Sequence, residues 1–343
     1  MYKSAFSACA LVVLCIGASF SNVAGAAVEV ASDIVWYENG DNRLTLDIYH
    51  QEGRTSATPV VVVFHGGGWL INTNNIMHQT SQYLAEHGPF TVANVNYRLL
   101  GDNNNTVTID TMAEDALGAV LWVKEHIADY GGDPDTLVVT GDSAGAHLAA
   151  MVVTAGHRLS DAGFSPPDFA FRPTYFAKGQ TIASLNDTGG VNVQGAVLSY
   201  GAFDIVEAAR NGFESEANIF WKLAGVAPRG VLGEGKSVER TPNAYKAVSP
   251  LYLVDTVKTR LYPPQFVHVG ERDAVTPPSS VRAYAYALHQ AGQPVQYRVY
   301  AGRNHAFLDN DCNTYLDVCF DRDAPQVLDD IILFIQQNVM QQQ

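Results

Sequence analysis

The pentapeptide Gly141-Asp142-Ser143-Ala144-Gly145 constrains the fold of this chain more than any other stretch. It follows Thr136–Thr140, a β-branched run, and precedes Ala146–Val153, a run of small and apolar residues. A strand must therefore pass directly into a helix, and the flanking glycines leave no Cβ to obstruct so tight a turn. Such a turn lifts the serine hydroxyl above the edge of a sheet. The helix N-terminus beneath it favours negative charge at that point.

The rest of the chain supplies the sheet. Val60–Phe64, Thr91–Tyr97, Val193–Tyr200, Gln265–Val269 and Gln296–Tyr300 are short apolar or β-branched runs without strict alternation, as buried parallel strands are. Val28–Tyr37 and Arg43–His50 do alternate, and the turn cluster Asn39-Gly40-Asp41-Asn42 between them predicts an antiparallel hairpin. Helices are predicted over Met112–Tyr130, Ser279–Gln290 and Pro325–Met340. In the first, Met112, Ala116, Val120, Val123 and Ile127 share one face, Thr111 and Glu114 read as a capping box, and Gly131-Gly132 and Pro134 stop it. This alternation predicts an α/β fold, with a mostly parallel central sheet, helices on both faces and ligands at the carboxyl ends of the strands. Two Pro-, Gly- and Phe-containing stretches, at about 157–190 and 205–248, break the scheme and are expected to be cap-like insertions.

Residues 27–343 are expected to form a single domain, since 47% of the 343 residues are hydrophobic and can supply one large core. Lys3, the apolar run Ala8–Ile16 and Ala24-Gly25-Ala26 read as a signal peptide over residues 1–26, which predicts a secreted or periplasmic protein. That run is too short to span a bilayer, and no stable membrane insertion is expected. Cleavage removes Cys9 and Cys15, leaving Cys312 and Cys319 to pair in an oxidising compartment. Two free thiols are the alternative, and zinc lacks a second Cys/His pair at ligand spacing. The formal charge of −14, or −15 without Lys3, argues against nucleic acid and anionic membranes as partners and fits neutral substrates.

Three further motifs fall at strand ends. His65-Gly66-Gly67-Gly68-Trp69 follows Val60–Phe64, and its glycines let backbone N–H groups converge on one oxygen. A phosphate loop would want a nearby lysine, which is missing, and His65 is expected to brace the loop. Asp273 ends Gly270-Glu271-Arg272-Asp273 after one predicted strand, and His305 ends Gly302-Arg303-Asn304-His305 after another. Both thus fall on the face where Ser143 emerges, with Asp204 and Asp309 as rival acids. Asp309, Asp311, Asp317, Asp321 and Asp323 crowd the segment at 309–323, but their spacing matches no EF-hand; a solvated acidic loop is expected there rather than calcium, and no metal site is assigned.

These motifs, in this order, resemble the α/β-hydrolase esterases that share His-Gly-Gly-Gly and Gly-Asp-Ser-Ala-Gly with hormone-sensitive lipase. They are also similar to the bacterial feruloyl-esterase-like group. Leu44-Thr45-Leu46-Asp47-Ile48-Tyr49, Val95-Asn96-Tyr97-Arg98-Leu99 and Gly131-Gly132-Asp133-Pro134-Asp135 support the resemblance, which covers nearly everything after about residue 30. It implies Ser143 as nucleophile, Asp273 as acid, His305 as base, and the N–H groups of Gly67, Gly68 and Ala144 as the oxyanion hole. Leu100-Gly101-Asp102 stands where lipase-like members read Ala-Pro-Glu, which favours the more open-sited feruloyl-esterase-like group.

The activity implied is an exported serine carboxylic-ester hydrolase, working through an acyl-enzyme without a cofactor, on short-chain or carbohydrate-linked esters. Trp69, Phe220 and Trp221 are expected to line its pocket, with a core role as the alternative. A serine amidase or peptidase on the same residues, or a non-catalytic binding module, are the rival functions. Intact-mass measurement of exported protein is expected to show a chain beginning after Ala26; retention of Lys3 would overturn the signal-peptide reading.

Overall fold

The apolar runs pair into one eight-stranded sheet in the computed structural model, which describes residues 27–40 and 42–342. In chain order the strands are β1 (Val28–Asn39), β2 (Asn42–Gln51), β3 (Thr58–Phe64), β4 (Thr91–Val95), β5 (Gly132–Asp142), β6 (Gly195–Ser199), β7 (Gln265–Gly270) and β8 (Val295–Tyr300). Their spatial order is β1-β2-β4-β3-β5-β6-β7-β8. The pairs β1–β2 and β2–β4 are antiparallel and the remaining pairs parallel. This is the α/β-hydrolase fold. The expected signal peptide, with Cys9 and Cys15, lies outside the described residues.

Val60 to Phe64 in β3 and Leu137 to Val139 in β5 are completely buried, so helices cover both faces of the sheet centre. Those helices are α1 (His78–His87), α2 (Ile109–His126), α3 (Ala144–Ala155), α4 (Pro278–Gln290) and α5 (Pro325–Asn338). α1 packs against α5, and α2 against α3. No helix among the described residues is long and apolar enough to cross a membrane.

Two local expectations are corrected. α2 begins at Ile109 rather than Met112, because the buried Ile109 donates its N–H to the Val231 carbonyl at 2.9 Å and extends the helix N-terminally. The Thr111–Glu114 capping box is therefore not formed: Thr108 is the N-cap, and a Glu114 carboxylate oxygen instead accepts the Arg172 N–H at 2.8 Å. β4 stops at Val95, short of Tyr97, whose hydroxyl turns away to donate to the His65 carbonyl at 2.7 Å.

Both insertions contain secondary structure of their own. Residues 157–190 carry a bridge between Leu159 and Phe171 and a short helix, Ile182–Asp187. Residues 205–248 carry three, Ile205–Arg210, Ile219–Ala224 and Pro242–Ala247. Asp115 of α2 fastens the first insertion. Its fully buried carboxylate accepts from Arg98 N and Nε at 3.1 and 2.8 Å, from Arg98 Nη2, and from the Thr174 hydroxyl at 2.6 Å. Beyond β8, a disulfide joins Cys312 to Cys319 across a two-stranded ladder.

Removing one partner of a buried ion pair leaves the other charge uncompensated, which typically costs about 3–5 kcal/mol. Asp115→Ala is expected to destabilise the protein by about that amount in urea unfolding. A loss below about 1 kcal/mol would show that the Arg98–Thr174 cluster is not a fastening.

Candidate active site

Ser143 stands between β5 and α3 with φ +51° and ψ −115°, a conformation side chains rarely adopt. The flanking glycines explain why it persists. A Cβ on Gly145 would lie 1.9 Å from the Phe64 carbonyl oxygen, and one on Gly141 would lie 2.5 Å from both that oxygen and the Gly145 carbonyl carbon. The elbow thus packs backbone to backbone on the end of β3, where the His65–Trp69 loop begins. Ser143 N–H donates to the Ser199 carbonyl at 2.9 Å, tying the turn to β6 as well.

Ser143, Asp273 and His305 are 6%, 3% and 5% exposed and form one hydrogen-bonded chain. His305 Nδ1 lies 2.7 Å from Asp273 Oδ2, and Nε2 lies 3.0 Å from Ser143 Oγ. A carboxylate only accepts, so Nδ1 carries the proton and Nε2 is left to accept the serine O–H. Asp273 is fixed in turn by the N–H groups of Val275 and Thr276 at 2.9 and 2.8 Å on Oδ1. The Thr276 hydroxyl donates to the Tyr200 carbonyl at 2.7 Å and touches Asp273 Oδ2 and His305 Nδ1 at 3.1 and 3.2 Å. The Tyr200 ring meets the imidazole edge-on with centroids 4.9 Å apart.

The rival acids are engaged elsewhere. Asp204 caps Ile205–Arg210 by accepting the Glu207 N–H at 2.9 Å, and Asp309 pairs with Asp142. In the acidic segment, Asp317 and Asp323 face Arg272, Arg303 and Arg322.

The glycine loop is held from three sides. Gly67 and Gly68 have φ of +114° and +59°, and the Gly67 carbonyl accepts from Leu70 and Ile71 at 3.1 Å each. His65 Nδ1–H donates to the Gly66 carbonyl at 2.7 Å, its ring stacks on Tyr97, and burial pushes its pKa down to about 4. A neutral, buried ring in this position braces the loop. Trp69 Nε1–H donates to His147 Nδ1 at 3.2 Å, while His147 Nε2–H donates to the Val248 carbonyl at 2.8 Å. Trp69 thereby links the loop to α3 and to the end of the second insertion.

Of the three aromatic residues expected to line a pocket, two are placed in packing instead. Trp69 and Trp221 are 3% and 1% exposed, and Trp221 Nε1–H is spent on the Phe213 carbonyl at 2.8 Å. Phe220 is half-buried, with its ring against Gly68. It walls a pocket of about 210 Å³ with Phe203, Asp204, Glu207, Phe213 and Val275, which reaches the site at Thr276. A larger cavity of about 740 Å³ lies at the opposite, amino ends of β6 to β8, around Gln194, Pro264 and Pro294, and contains none of the three chain-forming residues. Sequence reasoning missed Thr276, Tyr200 and His147. The one local signal was Asp-x-x-Thr, the spacing at which a carboxylate accepts two following N–H groups.

A family model described as BD-FAE matches residues 46–288. Esterase LipQ of Mycobacterium tuberculosis is 31% identical over 282 residues, covering 80% of this chain and 57% of that protein. A probable isoprenylcysteine alpha-carbonyl methylesterase of Oryza sativa subsp. japonica is 28% identical over 284 residues, covering 82% of this chain and 58% of that protein. The chain therefore spans less than two thirds of these relatives' length. Among solved structures, a truncated carbohydrate esterase from gut microbiota superposes with a TM-score of 0.67 at 21% identity, over 92% of this chain and 99% of that one. Propionate-bound esterase 2 of Thermogutta terrifontis superposes with 0.60 at 22% identity, over 91% and 94%. At such identities the likeness is one of fold.

Forcing a methyl into a packed interior typically costs about 1–3 kcal/mol, and a backbone neighbour gives less than a side chain does. Gly145→Ala is expected to reach or exceed the upper end of that range in a thermal melt. A melting curve superimposable on the parent's would refute the backbone contact.

Proposed function

The chain belongs to the BD-FAE family, and from that premise we propose that it is a serine carboxylic-ester hydrolase with Ser143 as nucleophile, His305 as base and Asp273 as orienting acid. The observation that carries the reading is the unbroken chain from Ser143 Oγ through His305 to Asp273, at 3.0 and 2.7 Å. Nε2 takes the serine proton as Oγ attacks the ester carbonyl carbon, and Asp273 stabilises the imidazolium that forms. The N–H groups of Gly67, Gly68 and Ala144 receive the carbonyl oxygen as it becomes an oxyanion, where a single donor is typically worth about 2.7–4 kcal/mol. His305 then protonates the departing alcohol oxygen, and the acyl-serine is released by a water molecule that the same imidazole deprotonates.

The substrates are short-chain or carbohydrate-linked esters. At about 30 Å³ per water, a pocket of about 210 Å³ holds only some seven water-sized groups. Its wall is mixed, with Phe213 and Phe220 apolar and Asp204 and Glu207 acidic, which suits a small acyl group or a single neutral sugar ring better than an anion. The enzyme acts outside the cytoplasm after losing residues 1–26, leaving one domain over 27–343; the Cys312–Cys319 disulfide supports that location.

Turnover of nitrophenyl acetate is expected to fall about 10⁴–10⁶-fold in Ser143→Ala and about 10⁴-fold in Asp273→Asn. Across an acyl series, kcat/KM is expected to drop beyond about six carbons, the filling of the 210 Å³ pocket. Activity equal in parent and Ser143→Ala, or hydrolysis of the matching amide but no ester, would overturn the assignment.

A further inference from the structure

The proposed chemistry leaves a buried pair of acids unused. Asp142 immediately precedes the nucleophile and is 2% exposed. Its carboxyl is hydrogen-bonded to that of Asp309, which closely follows His305, and its Oδ2 lies against Gly66. A Cβ on Gly66 would lie 2.3 Å from Asp142 Oδ2, so the carboxyl rests directly on the glycine loop. The pair therefore touches the three segments that meet at Ser143: the elbow, the loop and the strand-end segment carrying His305. Oδ1 of each acid is buried without a hydrogen-bond partner. Ionised carboxylates have no donor, so a hydrogen bond between two carboxyls requires a proton on one of them.

We propose that Asp142 and Asp309 share a single proton, and that this acid–carboxylate hydrogen bond positions the Gly66–Gly68 backbone against the nucleophile elbow. The positioning role rests on the serine-esterase reading; the shared proton does not.

The surroundings are consistent with a retained proton. Burial pushes both carboxyls upward; Asp142 raises Asp309 further, while the hydrogen bond from Asp309 lowers Asp142, as it does when Asp309 holds the proton and Asp142 accepts it. Three titratable groups face the pair. His305, on the base segment, favours the ionised form of Asp142. Tyr97, after β4, and Tyr200, at the end of β6, are held well above the ordinary phenol value by burial first and by the charge of Asp142 next, so they stay neutral while the pair titrates. A carboxyl raised in the folded state binds more protons there than in the unfolded chain. Stability from the pair is thus fully present below the ordinary carboxylate range and is lost as pH rises through the raised value. Above it two like charges meet in a buried site, and the contact between loop and elbow opens.

The test uses the mature chain and two substitutions at Asp309. At neutral pH the infrared spectrum of the parent is expected to contain the carbonyl stretch of an un-ionised carboxyl that is missing from Asp309→Asn, whose amide keeps the donor but cannot titrate. Asp309→Ala is expected to lose about 10- to 100-fold in kcat with little change in KM, as loss of transition-state positioning predicts. Asp309→Asn should recover most of that loss and, unlike the parent, show no decline of kcat on the alkaline side. If Asp309→Ala does not fold, Asp142→Asn, which donates in the reverse direction, should reproduce the flat alkaline profile. A parent spectrum lacking the un-ionised band, or an Asn variant keeping the parent's alkaline decline, would overturn the proposal. Should the parent hydrolyse no ester, the functional reading fails, yet the pair is still decided. A melting temperature that falls with pH more steeply in the parent than in Asp309→Asn supports the shared proton, and parallel curves refute it.

Discussion

The site depends on one contact that involves no side chain, the approach of the Gly145 backbone to the carbonyl oxygen of Phe64. With only 1.9 Å between that oxygen and the place a Cβ would take, the turn after β5 and the end of β3 leave no room for any side-chain carbon between them. The contact exists because β3 and β5 are sheet neighbours in register, Phe64 opposite Gly141. It brings the strained serine and the glycine loop together before any catalytic side chain is considered. Asp142 then lies under Gly66, and the helix of α3 starts beneath the serine. Remaining parts of the site, Asp273 and His305, arrive at the same strand ends from β7 and β8, on the side of β5 opposite β3, and are oriented by Thr276 and Tyr200.

Much of this was legible in the amino-acid sequence, for local reasons. The strands that carry Ser143, Asp273 and His305 are apolar runs bounded by turn residues, and burial on both faces enforces that pattern whatever packs above. The elbow was legible because its steric demand reduces to two glycines at fixed offsets. What escaped depends on residues distant in the chain. Thr276 matters because the Tyr200 carbonyl waits for its hydroxyl, and His147 because Trp69 and Val248 meet on either side of its ring. The start of α2 was misjudged because Val231, far downstream, accepts the Ile109 N–H. Trp69 and Trp221 look in sequence like pocket aromatics, but an indole can be buried as readily as displayed once its N–H finds a carbonyl or an imidazole.

The insertions repay comparison with one another. The first is fastened at the Asp115–Arg98–Thr174 cluster and contributes no residue to the pocket that reaches the site at Thr276. The second supplies Phe213 and Phe220 to that pocket and is fastened through the Val248 carbonyl to His147 in the first turn of α3. On the proposed function, differences in substrate choice among chains with this sheet are to be sought in the second insertion, which supplies Phe213 and Phe220 to the pocket wall. Changes in the first act on the stability of α2.

The strand order carries a consequence for how the protein is made. After β5 every strand pairs with its immediate predecessor, so the sheet can be extended one strand at a time as the chain emerges during synthesis. The serine and the glycine loop belong to the portion completed first, whereas the imidazole follows the last strand to join. On the proposed mechanism, a nascent chain holds an unactivated serine hydroxyl until its final strand has docked. Chemical competence then coincides with completion of the sheet, and a prematurely terminated product carries the proposed nucleophile without its base.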